Sequence, residues 1–128
     1  MTQFRCDHVH LRSADPDAMA GWLADMFGAT EKGRVRNGAA LRIILDLGGL
    51  AVFVEQVPAG THAPPEPPFL GVEHIGLAVT GFDAAIAELR RKGARFSLEP
   101  TSPRPGLHIA FVQGPEGLRV EVLERDAA

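Results

Sequence analysis

Residues 71–93 read GVEHIGLAVTGFDAAIAELRRKG. Over residues 72–79, His74, Gly76 and Ala78 share one parity while Ile75, Leu77 and Val79 share the other, which predicts a strand with one apolar face. The following TGFD predicts a capping-box start to a helix whose buried stripe is Phe82, Ala85, Ile86 and Leu89, stopped by Gly93. Residues 6–28 repeat that plan. CDHVHLRS is the strand; Ser13 to Asp17 supplies capping oxygens, a first-turn proline and an acidic start. Met19, Trp22, Leu23, Met26 and Phe27 then fall at core spacing before the terminator Gly28. Laying one stretch over the other sets His8 on His74, Leu11 on Leu77, Leu23 on Leu89, and Gly28 near Gly93. An internal duplication therefore decides the fold.

The rest of the chain fills out both copies. Residues 4–11 predict the first strand, with His8, His10 and Arg12 on one parity, a polar face that suits the wall of a wet pocket. Residues 30–35, 39–47 and 50–57 predict three further strands, joined by hairpin turns at Asn37-Gly38 and Gly48-Gly49. Residues 58–71 hold five of the ten prolines and no periodicity, as expected of a semi-rigid connector. In the second copy, residues 94–98, 107–113 and 118–124 predict strands, 99–106 a proline-rich loop and 114–117 a turn. Arg119, Glu121 and Leu123 share a face of the last strand. The expected fold is α+β: two tandem βαβββ modules forming a curved mixed sheet around a cavity. One domain spans 1–128, with module one at 1–57, a proline-rich linker at 58–70 and module two at 71–128. The modules are expected to close on each other within one chain or across a dimer.

Composition narrows the function classes. At 128 residues the chain can bury roughly two-thirds of its extended surface and support its own core. Apolar residues at 45%, charged residues at 23% and a net charge of -3 argue against disorder and against a polyanionic partner. Nucleic acid is not expected. The N-terminal stretch has neither a basic leader nor an apolar core, and no run suffices to span a bilayer, so a soluble, cytoplasmic protein is expected. The single cysteine, Cys6, lies in the first predicted strand and reads as a small buried hydrophobe.

DHVHLRS with its helix, VEHIGLAVTGFDAAIAELRRKGARF, and HIAFVQGPEGLRVEV, in that order and over nearly the whole chain, resemble the vicinal oxygen chelate superfamily. That group includes glyoxalase I, methylmalonyl-CoA epimerase, fosfomycin resistance enzymes, bleomycin resistance proteins and extradiol dioxygenases. The resemblance implies metal ligands on the first and last strands of each module: His8, His74 and Glu121, with the fourth place near Phe53. An ungapped overlay of LAVFVEQ on LRVEVLE sets Phe53 opposite Glu121, leaving a three-ligand site unless Glu55 substitutes.

Two histidines and one carboxylate leave coordination positions open for substrate, as in a catalytic rather than a structural site, and suit Fe(II) or Mn(II), with Zn(II) and Ni(II) admissible. Glu121 and Glu55 are candidate bases, and His10 and His108 candidate acids, bases or substrate contacts. Arg12 reads as a surface residue that can also meet an anion. His62, in the connector, receives no role, and Arg90-Arg91-Lys92 reads as the solvated end of a helix.

The implied activity is that of a metal-dependent enzyme of the glyoxalase, bleomycin resistance and dioxygenase class. It would act on a small oxygen-chelating substrate, with lyase or isomerase chemistry favoured, and form a homodimer. The alternatives are a ring-cleaving dioxygenase, disfavoured by the absence of any tyrosine, and a metal-free small-molecule binding protein of the resistance type.

Overall fold

The computed structural model describes residues 1–127, in two compact units that meet in sequence at His62 and Ala63. The first unit runs β1 (Val9–Ser13), α1 (Pro16–Phe27), β2 (Thr30–Asn37), β3 (Ala40–Leu47) and β4 (Leu50–Gln56). The second runs β5 (Ile75–Ala78), α2 (Phe82–Arg91), β6 (Arg95–Arg104), β7 (Leu107–Gln113), a 3-10 turn (Pro115–Gly117) and β8 (Arg119–Arg125). Each unit is a βαβββ module with one four-stranded mixed sheet. The strand orders are β1-β4-β3-β2 and β5-β8-β7-β6, with the first strand parallel to the last in both.

One face of each sheet is apolar because alternate residues along a strand point the same way. In the first module Leu41, Ile43, Leu45, Leu47, Val52 and Val54 are buried, together with Met19, Ala20 and Leu23 of α1. In the second, Ala110, Val112, Val120 and Val122 are buried, as are Phe82, Ile86 and Leu89 of α2. The opposite faces are half-buried and carry the polar side chains. Trp22, Met26 and Phe27 are only half-buried, not core as their spacing predicts; Trp22 and Phe27 meet edge to face at 5.4 Å.

The helices begin differently. Asp15 caps α1, its carboxylate accepting from Ala18 N at 3.1 Å, and Gly28 ends the helix in the left-handed conformation at φ 72. The capping box expected at Thr80 does not form. Gly81 is the cap residue, and Glu124 of β8 instead accepts from the backbone N–H groups of Gly81 at 3.1 Å and Phe82 at 2.9 Å. A carboxylate there meets both unpaired donors and the positive end of the helix.

Three other expectations are corrected. The first strand begins at Val9 rather than at residue 4, so Cys6 and Phe4 precede it and are exposed, and Cys6 is not a buried hydrophobe. The proline-rich loop at 99–106 is largely strand: β6 runs through Pro100 and Pro103 to Arg104, with register shifts against β7. β6 is an edge strand, where a residue without an N–H is tolerated. The first hairpin turns on Gly38-Ala39, one residue later than Asn37-Gly38, because Asn37 pairs with Ala40.

Candidate functional site

In the second module the half-buried face brings together side chains far apart in sequence. Gly76 of β5 pairs with Glu121 of β8, and Phe111 of β7 lies across from Glu121. His74, just before β5, reaches the same place: its Nε2 stands 3.2 Å from Glu121 Oε1, and its ring meets Phe111 edge-on at 4.9 Å. Gly76 borders the carboxylate: a Cβ there would make ordinary van der Waals contact with Glu121 Oε1, at 3.6 Å.

The donors of this pair fit a divalent ion. Metal–nitrogen and metal–oxygen bonds of about 2.1 Å at neighbouring coordination positions put the two donors roughly 3 Å apart, close to the observed 3.2 Å. The other ring nitrogen, His74 Nδ1, is buried without a hydrogen-bond partner, although Glu73 Oε1 approaches to 3.2 Å. A carboxylate beside Nδ1 is the kind of neighbour that fixes the tautomer leaving Nε2 free to ligate. Glu73 is shared, because the same Oε1 also pairs with Arg119 Nη1. Two donors make half a site: among the described residues no three His, Cys, Asp or Glu side chains converge as a metal-binding group.

The first module places different chemistry at the corresponding positions. His10 pairs with Phe53 as Gly76 pairs with Glu121, so the register puts an aromatic ring where the second module has its carboxylate. His8 lies flat on Phe53, ring centroids 4.1 Å apart and planes 11° from parallel. Its Nδ1 is 2.7 Å from Asp7 Oδ2, which leaves Nε2 as the free nitrogen. An acidic residue thus precedes each of the two equivalent histidines and approaches its Nδ1.

Glu55 is two residues beyond Phe53 on the same face. Arg42 Nε donates to its Oε1 at 2.6 Å, and His10 Nε2 stands 3.4 Å from the same oxygen. Arg42 above all, with His10, holds the Glu55 carboxyl below its ordinary range, outweighing the opposite effect of desolvation. The fold therefore brings His10 and Glu55 together, and Glu55 is engaged by Arg42.

His108 does not join His74 and Glu121. It pairs with Glu124, on the helix-packed side of the sheet, its Nδ1 3.0 Å from Ser102 Oγ and its Nε2 3.0 Å from Asp126 Oδ1. Arg12 is exposed beside Glu55 in the strand register, and His62 lies exposed in an irregular segment. Arg90 pairs with Glu99 at 2.7 Å, and Lys92 with Glu88 at 3.3 Å.

The residues missed by sequence reasoning are Asp7, Glu73, Arg42, Arg119 and Phe111. The first two were within reach of the overlay, which aligns Asp7-His8 with Glu73-His74. The other three depend on cross-strand register.

The comparisons with known proteins agree with this architecture. A crystal structure of a glyoxylase/bleomycin resistance protein/dioxygenase domain from Frankia sp. EAN1pec superposes with a TM-score of 0.80 at 23% identity, covering 99% of this chain and 96% of that one. Glyoxalase I of Leishmania major gives 0.76 at 18% identity, with 95% and 87% covered. The fosfomycin resistance protein FosX of Listeria monocytogenes gives 0.74 at 12%, with 96% and 94% covered. At these identities the likeness is one of fold. No curated protein matches the sequence. A sequence profile matches residues 5–122, nearly the whole chain, and by that match the protein belongs to the Glyoxalase/Bleomycin resistance protein/Dioxygenase superfamily.

Proposed function

We propose that this chain is a metal-dependent enzyme in which His74 and Glu121, completed by His8, hold a divalent ion and a small substrate binds through neighbouring oxygens. The observation that carries the reading is the convergence of His74 Nε2 and Glu121 Oε1 at 3.2 Å, beside Gly76. A bound ion would supply Lewis-acid polarisation of the paired substrate oxygens. The chain's own groups supply proton handling: Glu121 Oε1 faces His74, and Glu55, kept ionised by Arg42, accepts from His10 and orients that ring as a proton carrier. This suits lyase or isomerase chemistry, in which a proton leaves one carbon and is returned. His108 is outside the proposal, since it faces the helix side.

Metal-free binding of a flat ligand is the second reading, favoured by the His8 ring lying on Phe53, with the Arg42 guanidinium 5.6 Å from the same ring's centroid. A homodimer is the proposed assembly and is tested by sedimentation. Among the described residues no helix is long and apolar enough to cross a membrane.

Elemental analysis of protein purified without metal-affinity resin decides between the two readings. Stoichiometric Fe, Mn, Zn or Ni, lost in His8→Ala and in Glu121→Ala, supports the enzyme. No bound metal, and no change in melting temperature when metal is added, overturns it in favour of the binding protein.

A further inference from the structure

The second module holds a half-open cavity of about 210 Å³ that is lined in part by Arg119, two residues from Glu121 on β8, and that the metal reading leaves without a role. One wall is the proline-rich stretch, with Pro64, Pro67, Phe69 and the acidic Glu66; the other is Gln113, Gly117 and Arg119. Pro64 packs so closely on Gly117 that no side chain fits there, and Gly117 also holds φ 81. The two walls are therefore fitted to each other. Proline brings little side-chain entropy to lose, so such a wall is inexpensive to keep in place.

Arg119 is the cationic group of this cavity. Its guanidinium lies 4.5 Å from the centroid of Phe111, and it pairs with Glu73. A guanidinium has five N–H donors in a planar fork, more than one carboxylate oxygen can use. Arg119 and Glu121 are two residues apart on the same face of β8, a step of about 6.6 Å along a strand, and Phe111 touches both Arg119 and His74.

We propose that this cavity is the subsite for the anionic end of the ligand, a carboxylate or a phosphate-type group gripped by Arg119. This inference rests on the metal reading for the other end of the ligand, and it names a substrate class: a short acid whose neighbouring oxygens reach His74 and Glu121 while its charged group reaches Arg119. Glu73 changes partners in the process. In the free protein Glu73 Oε1 pairs with Arg119 and stands 3.2 Å from the buried His74 Nδ1 without completing a hydrogen bond to it. When an anion takes Arg119, Glu73 is released to accept from His74 Nδ1–H, which fixes the ring with Nε2 toward the metal. Anion and metal then favour each other's binding by the same factor, as linkage requires.

The test uses the full chain, as purified and after chelator treatment, titrated at constant ionic strength with methylphosphonate and with propionate. Binding is followed through the backbone amide resonances of Gly117 and Arg119. The expected result is saturable binding of one or both probes that survives chelation. It should weaken at least tenfold in Arg119→Gln, be partly restored in Arg119→Lys, and tighten about threefold in Glu73→Gln, where the competing carboxylate is gone. Response to methylphosphonate alone assigns a phosphate-type ligand; response to propionate assigns a carboxylate. Unchanged binding in Arg119→Gln, or no saturable binding to the wild-type chain, overturns the subsite, and unchanged affinity in Glu73→Gln overturns the exchange. His74→Ala separates this inference from the reading beneath it, because that variant is expected to lose metal and keep the anion.

Discussion

The two modules share a strand order and a pairing register, yet only their helix-packed faces carry the same residues. Val52 and Val54 in β4 match Val120 and Val122 in β8, all buried beneath a helix. On the opposite face His10 stands where the second module has Gly76, Phe53 where it has Glu121, and Glu55 where it has Leu123. The difference shows which constraint acts where. A close-packed interior penalises every change of volume, whereas a half-exposed face tolerates new chemistry, so the two modules differ where a difference costs the fold least. The second module holds a donor pair; the first holds a stacked histidine and an ion-paired network.

If that division is sound, the helix faces should respond alike. Leu23→Ala and Leu89→Ala empty equivalent buried positions, and each is expected to cost about 2–5 kcal/mol in urea unfolding. A loss confined to one of them would break the equivalence.

The site faces should respond unlike each other, and Phe53→Glu sharpens the point by placing beside His8 the carboxylate that His74 already has. Metal affinity of the full chain, measured by competition with a coloured chelator, is expected to rise about tenfold as a further hard ligand is added. The variant forgoes the ring stack, worth about 0.5–1.5 kcal/mol.

Helix capping is a finer contrast. Asp15→Ala and Glu124→Ala each remove the carboxylate at a helix start and are expected to cost about 1 kcal/mol. Only Glu124→Ala is expected to speed amide exchange in both α2 and β8, since only there does the cap come from a strand.

The smallest effect is a pH dependence belonging to the first module alone. The Glu55 carboxyl is held low, chiefly by Arg42, so its stabilising contribution is present above the ordinary carboxylate range and is lost as pH falls through its lowered value in the folded protein. Glu55→Gln should therefore lower the melting temperature at neutral pH and flatten its decline in acid. The apolar Leu123 at the matching place predicts no such change for Leu123→Val.

Much of this could be read from the residues. Periodicity and punctuation placed both helices and the offset between His8 and His74, and the overlay put Phe53 against Glu121, as the register has it. What escaped was set by partners distant in sequence. Nothing near Thr80 signals that its helix is capped by Glu124, and Arg42 acquires its meaning only when antiparallel pairing lays it against Glu55. Pro100 and Pro103 read as loop because one sequence does not reveal which strand will be at an edge. Cys6 read as buried because a strand's first residue was set too early.

The parallel pairing of first and last strands has a consequence in time. A ribosome adds about 5–20 residues per second, and within the second module His74 emerges near the start and Glu121 near the end. β5 has no neighbour until β8 is made, and the first turn of α2 has no cap until Glu124 arrives. The donor pair thus comes into being only when its module is complete, so under the proposed metal reading an ion would be captured after folding rather than guide it, and a half-made chain would have no assembled pair with which to take up the wrong metal.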